Sequence, residues 1–140
     1  MMYDYKRKAI ANVHSGWRGT IQKIAAKTVD KMKELYGSNP KDIVCCISPS
    51  IRKCHFEVQN DVKNIFKNTF SNLKNVIESK NEKWYIDTVK LNTEMLKEKG
   101  LRAENIIDSK ICTVCNSNLL HSYRGSNKHN GLEMGIIELV

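Results

Sequence analysis

The stretch His14-Ser15-Gly16-Trp17-Arg18-Gly19 joins a strand pattern to a helix pattern, and the interpretation of the whole chain depends on it. The apolar run at residues 9–13 before it predicts a buried strand, and helical periodicity follows it. His14 is therefore expected at the end of a strand and Arg18 near a helix N-terminus, where free N–H groups attract anions. One interpretation is a site that holds an anion beside a metal-binding or proton-transferring imidazole. The other is a structural turn with a capping His14 and a packed Trp17.

Hydrophobic periodicity predicts an α+β fold in which a mixed β-sheet packs against two to three helices. One helix is predicted from about Thr20 to Leu35, and another runs through Lys99 after an N-cap at Asp87. A continuous apolar run at 43–47 indicates a buried central strand. The remaining predicted elements are a short helix at 62–70, extended pieces near 76–77, 84–86, 106–107 and 110–112, and a closing strand at 132–139.

The length of 140 residues indicates one domain, 1–140, with enough residues to bury a core. The sequence has no apolar run long enough to cross a membrane and no signal-peptide pattern, so we expect no membrane partner. The five cysteines are an odd number without a secretory signal, which favours reduced thiols and a cytoplasmic location.

The formal charge of +8 raises the question of a nucleic-acid partner. The basic residues are 18 Lys and 5 Arg, and the lysines are scattered along the chain. Scattered lysines argue against a designed nucleic-acid surface. A non-catalytic basic binding module remains an alternative function.

Cys54 is a candidate reactive thiol because positive charge nearby lowers a thiol pKa, and Arg52, Lys53 and His55 flank it. The alternative is a half-buried cysteine without a chemical role. In a strand, Cys54 and His55 would face opposite ways and could not act together.

Cys112 and Cys115 form a Cys-x-x-Cys motif, but a zinc ribbon requires a second paired set. The spacing to His121 and His129 does not match a zinc finger. The polar run 116–118 predicts a turn, which does not suit a thioredoxin motif. We therefore expect a structural role for this motif.

Four segments of the chain resemble the motifs of the YfiH-like family, in the family's order. The stretch His14–Gly19 is similar to HAGWRG, and residues 47–51 with 54–58 resemble GPxI…CYEV. Residues 85–87 with Leu91-Asn92 resemble YLDLxxLN, and residues 112–115 with 121–124 resemble CTxC…FSYRR. The sequence departs from the family at Gly125 and Leu132, where the family usually has arginine.

The resemblance implies an α+β, YfiH-like fold and a cytoplasmic metalloenzyme that uses zinc or copper. Members of this laccase-domain family are described as purine nucleoside phosphorylases that act on adenosine, inosine and methylthioadenosine and also deaminate adenosine. Purine nucleoside and phosphate are therefore the expected partners. The alternative is a copper-dependent, laccase-like polyphenol oxidase. Multicopper oxidation needs several His-rich sites, and this chain has four histidines in all.

The resemblance also assigns candidate site residues. His14 is the expected metal ligand and, with Arg18, a catalytic residue. Arg18 is the expected phosphate-binding group, with Arg124 as a second candidate, and Trp17 or Tyr123 could stack on the purine. Cys54 is the further residue that could complete the site.

The resemblance places Met1 inside the family domain, so the chain is expected to be the C-terminal portion of a YfiH-like fold. The family's other metal ligands, a His and a Cys of an ADC motif, lie before this segment. We therefore expect an incomplete site, weak zinc binding and little activity for the chain alone. An exposed edge at 9–13 would also favour oligomers.

Overall fold

The structure, a computed structural model, describes residues 1–72, 74–126 and 131–140. His129, considered above as a zinc-finger ligand, lies outside these residues. The described part of the chain has the following strands and helices: β1 Met2–Asp4, β2 Ala9–Ala11, α1 Trp17–Ile21, α2 Ile24–Tyr36, β3 Ile43–Ile47, β4 Glu57–Val58, α3 Asn60–Thr69, β5 Ile77–Lys80, β6 Lys83–Ile86, α4 Thr88–Glu98 and β7 Ile106–Asp108. The predicted α+β class with a mixed sheet is confirmed.

The chain divides into two compact units. Unit 1 comprises Met1–Ser48, Leu91–Ser109 and Gly135–Val140, and unit 2 comprises Pro49–Lys90 and Lys110–Met134. That the chain forms a single domain stays a prediction. In the described residues, no helix has the length and apolar character needed to cross a membrane.

Unit 1 contains a mixed sheet with the strand order β2-β1-β3-β7. Strand β1 is antiparallel to β2 and β3, and β3 is parallel to β7. The predicted buried strand at 43–47 is confirmed as β3, in which Cys45 is buried and Cys46 is exposed. Helix α2 contributes Ala25, Val29 and Met32, at three- and four-residue steps, to the apolar core of this unit.

The predicted single helix from Thr20 to Leu35 is wrong in two respects. Helix α1 already begins at Trp17, and a break separates it from α2. At the break Lys23 adopts a left-handed conformation with φ 57°, which interrupts the helical backbone. Apolar spacing continues across Lys23, so the pattern could not reveal the break. Helix α2 ends at Gly37, which adopts the left-handed conformation with φ 64° that glycine favours.

Unit 2 contains an antiparallel sheet with the order β4-β6-β5, together with α3. Its buried apolar side chains come mainly from residues 56–86: Phe56, Val58, Phe66, Phe70, Val76 and Ile86. The predicted cap at Asp87 is confirmed, because its Oδ1 accepts a bond from the Lys90 N–H at 2.8 Å.

The predicted closing strand at 132–139 is wrong, because residues 131–140 have no strand. A side-chain bond takes the place of strand pairing there: the Asn12 amide donates to the Gly135 carbonyl at 2.5 Å. The turn predicted at 116–118 is confirmed within a run of turns at 113–119.

Candidate functional site

Residues 14–19, the His14 turn, leave strand β2 and enter helix α1 within unit 1. The His14 side chain is exposed, and its ring lies over Gly16. A Cβ at position 16 would lie only 3.0 Å from His14 Nε2, so any other residue would displace the imidazole. Gly16 therefore makes room for the ring of His14.

A network of polar side chains holds the His14 turn to helix α4. The Ser15 hydroxyl donates to Asn92 Oδ1 at 2.9 Å, and Asn92 Nδ2 donates to Thr20 Oγ1 at 3.0 Å. The fully buried Thr20 hydroxyl in turn donates to the Gly16 carbonyl at 3.0 Å. The sequence motif that contains Leu91 and Asn92 gave Asn92 no role. In the structure, Asn92 connects the His14 turn to helix α4.

Arg18 lies on α1 with its guanidinium carbon 4.4 Å from the centroid of the Trp17 ring. Its side chain is exposed and forms no ion pair with the other described residues. Helix α1 has only five residues, so any anion-binding capacity of this turn rests on the guanidinium and not on the dipole of a long helix.

His14 is one possible metal ligand, but the described side chains around it supply no further ligands. Within residues 1–72, 74–126 and 131–140, it belongs to no group of three His, Cys, Asp or Glu side chains with converging donor atoms. A zinc or copper ion needs several protein ligands. The described residues around His14 do not by themselves fit a metal ion.

Unit 2 contains a different donor set, made by Cys54, His55, Cys112 and Cys115. We call it the Cys-His centre. Its four donor atoms all lie within 4.8 Å of one another, and such a group could hold a metal ion. His55 Nδ1 lies 3.2 Å from Cys54 Sγ, 3.7 Å from Cys112 Sγ and 3.5 Å from Cys115 Sγ. The sulfurs of Cys54 and Cys115 are 3.8 Å apart.

The prediction that Cys54 and His55 face opposite ways is wrong, because residues 53–55 form a turn and not a strand. Backbone bonds then bring this turn beside the second cysteine pair. Ser50 and Cys112 form a parallel bridge, in which the Ser50 N–H donates to the Ile111 carbonyl at 3.2 Å. The Thr113 N–H donates to the Ser50 carbonyl, also at 3.2 Å.

The thiols of the Cys-His centre ionise unequally. Burial opposes ionisation of Cys112, but hydrogen bonds from the backbone N–H groups of Cys115, Arg52 and Val114 and from the His55 side chain outweigh it and lower the Cys112 pKa to about 6. Burial, reinforced by hydrogen bonds and charge repulsion from Cys112 and Cys115, raises the Cys54 pKa to about 12. The expected lowering of the Cys54 pKa is not found, because desolvation and the two neighbouring thiols all raise it.

Cys54 also lines a pocket of about 290 Å³, together with Lys53, Glu78, Lys80 and Tyr85. Lys53 forms an ion pair with Glu78 at 2.7 Å. The sulfur of Cys54 is therefore accessible from solvent through a polar opening.

The remaining predicted residues, Tyr123 and Arg124, belong to unit 2, whereas His14, Trp17 and Arg18 belong to unit 1. Tyr123 is 61% exposed, so its ring is available to a ligand. Arg124 donates to the Glu57 carbonyl at 2.8 Å, and its guanidinium carbon lies 5.7 Å from the Phe56 ring centroid.

The partners of Cys112 and Cys115 were not evident from the sequence. The missing pair was Cys54-His55, two adjacent metal-binding side chains whose separation from the second pair matches no zinc-finger spacing. The only hint in the sequence was that a cysteine and a histidine are adjacent at positions 54 and 55. It is the fold that places these two residues beside Cys112 and Cys115.

Comparison with known proteins agrees with the motifs and the fold. A purine nucleoside phosphorylase of Bacteroides thetaiotaomicron is 33% identical over 115 residues, which cover 81% of this chain and 43% of that protein. A protein named adenosine deaminase RL5, from an unknown prokaryotic organism, is 30% identical over 133 residues, covering 94% of this chain and 50% of that protein.

The crystal structure of the Bacillus licheniformis hypothetical protein YfiH superposes with a TM-score of 0.82 at 30% identity, covering 91% of this chain and 48% of that one. The chain thus spans about half the length of these relatives. The family model described as multi-copper polyphenol oxidoreductase laccase matches residues 1–140. Since that match covers the whole sequence, the chain belongs to this laccase-like, YfiH family.

Proposed function

We propose that this chain is the part of a purine nucleoside phosphorylase that carries its phosphate-binding turn. The observation that carries the proposal is the His14 turn. It presents an exposed imidazole and, four positions on, a guanidinium without an ion pair in the described part of the chain. Relatives named purine nucleoside phosphorylase support the same reaction class. Adenosine, inosine and methylthioadenosine are the proposed substrates.

In phosphorolysis, a phosphate oxygen bonds to the sugar C1′ while the bond from C1′ to the purine nitrogen breaks and the purine takes up a proton. Arg18 suits the phosphate because its planar fork donates two parallel hydrogen bonds to an oxyanion. Stacking on Trp17 restricts the guanidinium before phosphate binds. We assign phosphate binding to Arg18.

His14 has two proposed roles, proton transfer and metal ligation. An exposed imidazole can exchange a proton with the purine or with water. When bound, zinc or copper would lower the pKa of a water molecule, which is the chemistry that adenosine deamination requires. Such an ion needs ligands in addition to His14. The relative named adenosine deaminase supports deamination as a second activity.

The ring of Tyr123 is proposed to stack on the purine and Arg124 to bind a second anionic group. Both proposals rest on the family resemblance and on the exposure of these side chains. The alternative function is phenol oxidation, which the description of the family model favours.

The proposal is tested with a chimera in which this chain replaces the matching part of the Bacteroides thetaiotaomicron phosphorylase. We expect phosphate-dependent release of hypoxanthine from inosine. His14→Ala should lower turnover about a hundredfold, the lower range for loss of proton transfer. Arg18→Ala should raise the KM for phosphate, and Lys27→Ala, an exposed charge on α2, should change neither value.

The same chimera is offered a phenol with copper, and RNA at several salt concentrations. A folded chimera that oxidises the phenol and leaves inosine intact would support the laccase alternative. Salt-dependent RNA binding without any turnover would support the basic binding module.

A further inference from the structure

We infer that Cys54, His55, Cys112 and Cys115 form a structural zinc site that joins the two chain segments of unit 2. All four residues belong to this unit. The inference concerns stability and metal content, and it stands apart from the proposed reaction at His14.

Four of the six donor–donor distances within the Cys-His centre are close to those of a tetrahedral zinc site. With Zn–S bonds of about 2.3 Å and a Zn–N bond of about 2.05 Å, tetrahedral angles place sulfurs about 3.8 Å apart and sulfur about 3.6 Å from nitrogen. The Cys54 and Cys115 sulfurs are 3.8 Å apart. The three sulfur distances from His55 Nδ1 are 3.2, 3.5 and 3.7 Å. These four distances lie within about 0.4 Å of the tetrahedral values, and every other pair of donor atoms lies within 4.8 Å.

A disulfide explains the arrangement less well. It would need two sulfurs about 2.05 Å apart and would leave the other two donors without a function. The Cys-His centre instead has four donor atoms that all converge within 4.8 Å. Three thiolates and one imidazole form one of the common structural zinc sets.

The site is closed, because four protein donors fill a tetrahedral shell and leave no position for water or substrate. The surrounding backbone also suits thiolates, since N–H groups of Arg52, Val114 and Cys115 donate to the Cys112 sulfur. Such bonds orient metal ligands and offset their negative charge. The polar pocket at Cys54 gives an ion access from solvent.

Unit 2 gains from such a link because its second segment buries little apolar surface. The buried residues in the described part of 110–134 are Cys112, Thr113 and Ser122, whereas Leu119 is 80% exposed. A segment that contributes so little to an apolar core needs another source of stability, and a metal ion is a common one. Zinc would tie residues 112–115 to the turn at 53–55.

The first test measures zinc by elemental analysis after the purified chain has been dialysed in metal-free buffer. We expect about one zinc per chain, as for a single four-ligand site. Cys115→Ser and His55→Ala should lose most of it. Cys46→Ser, a matched control at an exposed cysteine of β3, and His14→Ala should both retain it. Loss of zinc in His14→Ala with retention in Cys115→Ser would overturn the inference.

The second test avoids variants that could fail to fold. The unaltered chain is alkylated with iodoacetamide with and without zinc, and each cysteine is read by mass spectrometry. Zinc should slow labelling of Cys54 and Cys115 at least tenfold and leave Cys46 unchanged. Equal labelling with and without zinc would refute the site, and so would a disulfide between Cys54 and Cys115 in protein purified under reducing conditions. Cobalt should give the visible absorption of tetrahedral thiolate coordination in the same protein.

Discussion

The His14 turn and the Cys-His centre contrast in how the sequence presents them and in how many donors they assemble. The His14 turn is one contiguous motif with a single side chain of a metal-ligating type, His14. The Cys-His centre takes donors from two segments of unit 2 and gathers four of them. The contrast teaches that a conspicuous motif and a complete coordination shell are different things. The first can be seen in the sequence, and the second requires the fold.

The largest expected difference between the two regions is the change in local stability when zinc is removed. With free zinc at a thousand times its Kd, binding stabilises the folded state by about 4 kcal/mol. Adding a chelator should therefore speed amide exchange at 50–56 and 111–116 and leave α2 in unit 1 unchanged. Hydrogen exchange with mass spectrometry measures both regions at once. Identical amide exchange with and without the chelator would show that metal binding at the Cys-His centre does not stabilise unit 2.

The second effect concerns the anion at the His14 turn. Arg18→Ala should weaken phosphate binding by about 1.5–3 kcal/mol, the range for hydrogen bonds to charged groups. Calorimetric titration with phosphate measures the loss, and Lys27→Ala serves as the control for total charge. Unchanged phosphate affinity in Arg18→Ala would favour the structural interpretation of this turn.

The third effect tests what holds the His14 turn in place. Asn92→Ala removes the hydrogen bonds to Ser15 and Thr20 and leaves the buried Thr20 hydroxyl without one partner. We expect a loss of about 1–3 kcal/mol in the free energy of unfolding. The control is Asn105→Ala, whose amide donates a solvent-exposed bond to the Lys41 carbonyl at 3.2 Å. Denaturant unfolding compares the two, and equal losses would mean that the network does not anchor the turn.

The smallest effect on stability should come from Gly16→Ala, which nevertheless moves the imidazole. Gly16 has φ −66°, so alanine adds no backbone strain, and the three heavy atoms nearest its methyl group all belong to the His14 ring. The free energy of unfolding should change by less than about 0.5 kcal/mol, as for most surface substitutions. The His14 ring signals in NMR spectra should shift, unlike in Gly135→Ala, where the added Cβ would have ordinary contacts of 3.7 Å or more. An unmoved imidazole in Gly16→Ala would contradict the packing described for the turn.

The sequence predicted the features that depend on local patterns. Strand β3 and the cap at Asp87 follow from an apolar run and a capping residue, and both are confirmed. The break at Lys23 could not be predicted, because a left-handed lysine leaves the apolar spacing unchanged. The closing strand at 132–139 failed because a loose alternation says nothing about whether a neighbouring strand exists.

The Cys-His centre could not be predicted for a related reason. Its donors are gathered by backbone pairing between Ser50 and Cys112, which is a long-range property of the fold. The roles of His14 and Arg18 remain predictions. The expectation of weak zinc binding came from counting the family's ligands, and the Cys-His centre gives a reason to expect tight binding elsewhere in the chain.

The separation of the two donor pairs along the chain has a consequence for zinc binding during synthesis on the ribosome. Cys115 follows Cys54 by 61 residues, and at a synthesis rate of about 5–20 residues per second it emerges about 3–12 s later. Until Cys112 emerges, Cys54 and His55 are the only donors of the Cys-His centre that have been made, so the nascent chain holds zinc weakly or not at all. The Cys-His centre can therefore capture its ion only after most of the chain has been made. Zinc acquisition would mark the completion of unit 2 and not its beginning.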